Sequence, residues 1–361
     1  MNASDTELAG EEKEGDTPVI RPASTAPDRY RFGAVEVCSD VGLTGYERYR
    51  ATVNRPLLSV TVRRGAHPPS TGRLLGRGHG RRGPLEIRAS PDGGRTIAAE
   101  GLAPCTLGPN TTVTWHLTGE PTADDTDFLV STIVPWTLTT APGTAVLHAA
   151  SLVGPRGAVL LCGPSGAGKS TLSTALHHHR GWRLFGDDAA VIRIDDRRPV
   201  VLSCSREVRL WADAADLLGM GAGIPLPRYS AKSRHPVAEP ATEPAQVVAV
   251  VQLVDPVATP PVTLTDRSPA VWSSPHTGVS LSRLRAADGI AALRGHLMRL
   301  ALMSVPEAAA EFAFLTSWHR TVTCAALHYP HIPEALPEAV TALSEFVGSA
   351  PRNTHPASPT H

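Results

Sequence analysis

Unbroken apolar runs and period-two alternation divide this chain before any single residue is weighed. Gly157–Cys162 (GAVLLC) and Gln246–Val254 (QVVAVVQLV) are continuous, the pattern of strands buried on both faces. Helical spacing predicts helices over Phe128–Thr140, Ser170–Arg180, Ala286–Met303, Pro306–Arg320 and Glu334–Val347, with further strands near Val146, over Trp182–Phe185 and over Val322–Leu327. From Tyr30 to Thr122, short stretches such as Leu57–Val62 and Thr111–Leu117 alternate with Gly and Pro turns, which predicts a β-rich region. The expected fold class is therefore α/β, a nucleotide-type domain over residues 124–349 preceded by a smaller β-rich region over 29–123. Residues 1–28 and 350–361 are polar and Pro-containing and are expected to be disordered. No internal repeat breaks this plan.

Composition narrows the classes. Acidic and basic residues balance at 34 each, so no charge excess points to nucleic acid or an anionic membrane. The abundance of Arg over Lys carries no chemistry. Five cysteines are scattered without a C-x-x-C pair, as small core hydrophobes in a reducing compartment would be. No apolar stretch reaches the ~18–20 residues of a membrane helix, and the acidic N-terminus lacks a signal-peptide core. A cytoplasmic protein is expected.

The chemistry concentrates directly after the first apolar run. Gly163-Pro164-Ser165-Gly166-Ala167-Gly168-Lys169-Ser170-Thr171 follows a predicted strand and opens a predicted helix. Glycines let backbone N–H groups turn inward and a helix N-terminus favours an anion, so the loop is a phosphate cradle. In that frame Lys169 bridges the β- and γ-phosphates of ATP and the Ser170 hydroxyl holds Mg²⁺. A transporter ATPase is not expected, because the chain lacks a Leu-Ser-Gly-Gly-Gln-like signature and a strand ending in Asp-Glu; Gln246–Val254 runs into Asp255-Pro256.

Asp187-Asp188 closes the next predicted strand. In open α/β sheets such strand ends face the ligand, and phosphoryl transfer needs a metal ligand and a base, roles that two adjacent acids can divide. The competing reading of such a pair is a turn cap. His148 interrupts an apolar strand before the loop; it is either a satisfied core histidine or a partner of the acids or of a phosphoryl group.

The span from His148 to Val191 resembles the catalytic domain of HPr kinase/phosphorylase and its HPr-kinase-like relatives, whose loop is of the phosphoenolpyruvate carboxykinase type. Three features carry the likeness: the His, the Gly163–Ser170 loop, and Gly181-Trp182-Arg183-Leu184-Phe185-Gly186-Asp187-Asp188. The resemblance implies that one Asp is the general base, assigned here to Asp187, while Asp188 and His148 organise the site with Asp188 on the metal. Ser205-Arg206-Glu207-Val208-Arg209 keeps the Glu-x-Arg of the family's metal-binding segment without its glycines, so Glu207 is a candidate metal ligand and an ordinary strand-edge acid is the alternative. Those missing glycines argue against phosphorolysis. The Leu210-Trp211 pair and the divergent N-terminal region are more similar to the HPr-kinase-like proteins of peptide natural-product pathways, including lasso peptides. This implies a peptide or small protein substrate and self-association, while the balanced charge leads to the expectation of no nucleic acid or membrane partner.

Three charged stretches remain. His177-His178-His179 would point three ways on a helix and so share no ion easily. Arg73–Gly83 and the segment Arg228–Arg234 around Lys232 are expected as solvated loops, the latter able to close over phosphates. The expected activity is transfer of the γ-phosphoryl group of Mg·ATP to a hydroxyl; a small-metabolite kinase or a non-catalytic nucleotide-binding module are the other readings.

Overall fold

A computed structural model describes residues 26–51, 56–65, 72–80, 83–90, 92–195, 198–226, 229–237, 243–254, 270–298, 305–319 and 321–349. The expected disorder of residues 1–25 and 350–361 falls outside this set, as do Arg81, Arg82, Arg228 and Asp255. The architecture is mixed α/β with several sheets and few helices.

The β-rich region forms an eight-stranded sheet of β1 (Asp28–Phe32), β2 (Val35–Ser39), β3 (Leu58–Gly65), β4 (Leu74–Gly80), β5 (Gly83–Ala89), β6 (Arg95–Ala99), β7 (Cys105–Leu107) and β8 (Thr112–His116). Its order is β1-β2-β3-β8-β7-β6-β5-β4, with β2–β3 and β3–β8 parallel. The arginine-rich Arg73–Gly83 stretch corrects the sequence expectation: it supplies β4 and the start of β5, an antiparallel hairpin and not a loop. An edge strand such as β4 buries little, so it needs no apolar alternation.

A helical run then starts at Ala123, earlier than its apolar spacing suggests, because Thr122 and Asp125 close a capping box. It consists of α1 (Ala123–Phe128), a π-helical turn over Leu129–Ile133 and α2 (Val134–Leu138). Phe128, Leu129, Ile133 and Leu138 pack into the same apolar cluster as Val60, Ile97 and Trp115 of the first sheet, and Val146, Val191 and Leu202 from later strands join it.

The second sheet is built from β9 (Thr144–Leu147), β10 (Ala149–Gly154), β11 (Gly157–Cys162), β12 (Arg183–Gly186), β13 (Ala190–Asp195) and β14 (Arg198–Leu202), then β18 (Ala245–Val254), β19 (Ala270–Ser273), β20 (Ser280–Arg283) and β21 (Thr323–His328). A small third sheet intervenes: β15 (Glu207–Trp211), α4 (Ala212–Leu217), β16 (Ile224–Pro225) and β17 (Lys232–Pro236). The remaining helices are α3 (Lys169–Arg180), α5 (Ala286–His296), α6 (Val305–His319) and α7 (Ala335–Gly348). Helix α5 ends well short of the expected Met303, and Leu297 leaves it with extended backbone.

The GAVLLC run is central. β11 lies between antiparallel β10 and parallel β18, and β18 in turn carries β21 in parallel. Its residues alternate between two cores: Val159 and Leu161 face the cluster holding Leu172 and Leu176 of α3 and Leu343 of α7. Ala158, Leu160 and Cys162 face Leu293 and Trp318 of α5 and α6. Truncating Leu160 or Leu161 to Ala removes ~2–5 kcal/mol of packing each. The strand that aims the phosphate loop is thereby anchored from both sides. All five cysteines are free thiols, and no helix among the described residues is long and apolar enough to cross a membrane.

Candidate active site

Backbone geometry sets the loop first. Gly163, Gly166 and Gly168 have φ of 155°, 91° and 83°, a region that L side chains avoid. At Gly168 a Cβ would also collide with the Tyr329 hydroxyl, so the residue that opens α3 has no substitute. Lys169, buried, donates from Nζ to the carbonyl oxygens of Gly163 at 2.8 Å and Pro164 at 3.0 Å. An ammonium resting on two neutral carbonyls, beside the free N–H end of α3, is a site prepared for a polyanion.

The far end of α3 returns the acids to this loop. Gly181 takes the left-handed conformation at φ 66°, with Gly181 N–H donating to His177 and Trp182 N–H to Leu176. That Schellman-type stop reverses the chain into β12, which pairs with β10 one strand away from β11. Asp187 and Asp188 follow at once. His177 Nδ1 meanwhile bonds the Trp182 carbonyl at 2.7 Å, so one residue of the His-His-His run belongs to this turn.

Asp187 is fully engaged. Its Oδ1 accepts from the Ser170 hydroxyl at 2.8 Å and its Oδ2 from the Arg209 backbone N–H at 2.8 Å. Burial, then the neighbouring Asp188 charge, pushes its carboxyl up to about 6. Asp188 is different. It holds φ 64°, unusual for a non-glycine residue, and its carbonyl accepts from His148 Nδ1 at 2.9 Å. Burial works against its charge, yet Lys232, Arg209, His148 and Lys169 together outweigh burial and hold it below the ordinary carboxylate range. Such strain at a chemically loaded residue is a mark of functional sites.

His148 is not within a strand, as its sequence setting suggests, but at the junction between β9 and β10. Its backbone N–H donates to the His296 carbonyl at 2.7 Å, and His296 Nε2 meets Gln252 Oε1 at 2.6 Å. Burial first, then the charges of His148 and Lys169, brings His296 down to about 4, so it stays neutral.

Lys232 also departs from the loop expected for it. It begins β17, is buried, and stands 5.9 Å from the Trp211 ring centroid and 5.7 Å from that of Tyr229. Lys169, Ser170, Asp188, Arg209 and Lys232 thus share the walls of one small phosphate-sized hollow beside the loop. Glu207, two residues before Arg209 on β15, has other partners: Tyr49 Oη donates to it at 2.9 Å, with Arg234 and Arg209 guanidinium nitrogens at 3.7 and 3.8 Å.

Arg209 was not a candidate in the sequence. Its side chain ion-pairs with Asp127 of α1 while its backbone holds Asp187, so it ties the helical run to the acidic pair. The only signal was its place two residues after Glu207. His296 and Asp127 gave none.

The donor set suits Mg²⁺ held jointly with phosphate oxygens. Ser170 and Asp187 supply two hard oxygens side by side, and among the described residues no group of three or more His, Cys, Asp and Glu could hold a metal by itself.

No family model matches the chain, and no curated protein matches it. Among solved structures, the Hpr(Ser) kinase/phosphatase from Coxiella burnetii is similar at 14% identity, covering 56% of this chain and 95% of that one with a TM-score of 0.29. So distant a likeness carries no weight of its own beside the geometry of the loop and the acids.

Proposed function

We propose that this protein is an ATP- and Mg²⁺-dependent kinase of HPr-kinase-like type, acting in the cytoplasm on the hydroxyl of a serine in a peptide or small protein of a biosynthetic pathway, and self-associating as that family does. The observation that carries the reading is the contact of Ser170 with Asp187, at the start of the helix that the glycine loop opens, beside a second acid that borders a cleft. Mg·ATP, when bound, supplies the transferable phosphoryl group and a divalent charge.

The chain's own residues then divide the work. Lys169 Nζ exchanges its loop carbonyls for phosphate oxygens, and the amides of Gly166–Ser170 neutralise charge that grows on transfer. Ser170 Oγ and Asp187 form the metal side. Asp187 has both oxygens occupied and Asp188 borders the cleft, so the roles first assigned to the two acids are exchanged in this reading. Asp188 takes the proton from the acceptor hydroxyl as that oxygen bonds to phosphorus and the bond to the β-phosphate oxygen breaks. Held below the ordinary carboxylate range, it is ionised at neutral pH. His148 fixes the Asp188 backbone through its carbonyl, and Lys232 and Arg209 balance the charge.

Incubating the protein with γ-labelled ATP, Mg²⁺ and the short peptides encoded beside its gene tests the proposal. Label stable on a serine is expected. Binding of Mg·ATP without transfer to any of them would leave a nucleotide-binding module in place of a kinase.

A further inference from the structure

The cleft in front of Asp188, about 310 Å³, has two unlike ends. At one stand His148, Asp188 and Lys232, the groups assigned above to the chemistry. At the other, the wall comes from the first sheet and the helical run: Leu85 and Ala99 are direct cross-strand partners on β5 and β6, and Phe128, Trp136 and Met298 close around them. Leu85 and Trp136 are only half-buried, although Val134, Pro135, Thr137 and Leu138 beside Trp136 are all buried. Their uncovered apolar surface therefore belongs to the cleft.

The π-helical turn adds a second observation. Ser131 and Thr132 also border the cleft, but the Ser131 hydroxyl donates back to the Asp127 carbonyl at 2.6 Å and lies 3.4 Å from that of Thr132. Helical turns with one extra residue are frequent at functional sites. Here the Ser131 hydroxyl is turned back onto its own backbone, which leaves the wall beside it mainly apolar.

We infer that the acceptor serine reaches Asp188 together with an apolar neighbour, of leucine or phenylalanine size, that fills the end walled by Leu85, Ala99 and Trp136. The first sheet is thus the element that selects the substrate. This rests on the kinase reading above. Ligand pockets run from about 300 to 1,000 Å³, so a cleft at the low end admits one or two residues of an exposed chain segment and not the surface of a folded partner. An acidic neighbour would lose much of its hydration there, against a wall of Leu85, Ala99, Phe128, Trp136 and Met298 that carries no cation to pair with it.

The test uses the wild-type protein, γ-labelled ATP with Mg²⁺, and blocked peptides in which one serine is flanked by Gly, Leu, Phe or Asp. Leu or Phe is expected to raise kcat/KM by at least ~10-fold over Gly, the usual worth of an apolar pocket, and Asp to lower it. In Trp136→Ala the advantage of Leu should shrink and the preference should move towards Phe. Equal kcat/KM for all four flanks, or a preference for Asp, overturns the inference. Transfer to the peptides encoded beside the gene, followed on the same sample with Mg·ATP binding by calorimetry, separates the levels: binding without transfer to any of those peptides removes the kinase reading itself, whereas transfer to them with no gain from Leu or Phe over Gly overturns the apolar-neighbour proposal alone.

Discussion

The phosphate loop and the first sheet meet at the same cleft by opposite routes. The loop is local: nine consecutive residues, Gly163–Thr171, between one strand and one helix, with three glycines whose positive φ fixes the backbone. The first sheet's contribution is distant: Leu85 and Ala99 lie more than eighty positions from Asp188 and are brought there by strand pairing and by the capped helix that follows. Chemistry that needs many backbone amides converging on phosphate must be written locally. Selection of a substrate needs only a shaped wall, and any packed element can supply it.

Breaking the local half gives the largest effect. Lys169→Ala should reduce phosphoryl transfer by ~10³-fold or more while the protein stays folded, since removing a transition-state cation costs at least as much as removing one oxyanion donor. Single-turnover rates with melting curves check this, and undiminished transfer in a folded variant would sink the kinase reading.

Cutting the tie between the halves comes next. Asp127 accepts from Tyr46 Oη at 3.0 Å and pairs with Arg209 in buried surroundings, so Asp127→Ala leaves a guanidinium without its closest partner. Stability should fall by about 3 kcal/mol, measured by denaturant unfolding. A loss below ~1 kcal/mol would mean that Glu207 compensates and that the two regions are less coupled than their contacts indicate.

Gly168→Ala strains the left-handed N-cap and meets the Tyr329 hydroxyl, at a cost of about 1–3 kcal/mol, and Tyr329→Phe should relieve the steric part only, because the positive φ remains. The last expected effect is a pH dependence. Asp187 is raised from the ordinary value of 3.8 to about 6, so between those values the folded chain holds a proton that the unfolded chain has lost. Linkage then makes metal-free stability decline as pH rises from about 4 to about 6, and Asp187→Asn should flatten that slope in a melting-temperature profile. A wild-type profile rising through the window would contradict the burial of this carboxyl.

Sequence patterns disclosed most of what surrounds the loop. Gly157–Cys162, Gln246–Val254 and α3 fall where their apolar patterns put them, because a strand buried on both faces admits no polar interruption. The third sheet was illegible for the converse reason. β17 reads Lys-Ser-Arg-His-Pro, whose burial comes from ion pairs and rings contributed by β15, Tyr46 and Tyr229 and not from its own apolarity. The division of labour proposed for Asp187 and Asp188 was equally hidden. Adjacent in sequence, they differ only through contacts made by Ser170, Arg209 and His148, which lie 17, 22 and 40 positions away.

That division is the centre of the account, and a Mg²⁺ titration of the single-turnover rate in Asp187→Asn and Asp188→Asn tests it most directly. Asn tolerates the left-handed backbone of position 188, so the second variant keeps its shape. Asp188→Asn should lose ~10²-fold or more in rate with an unchanged Mg²⁺ midpoint, as expected for a lost base, while Asp187→Asn should shift the midpoint to higher Mg²⁺. Wild-type rates and midpoints in both variants would contradict the account and return the acidic pair to a structural turn.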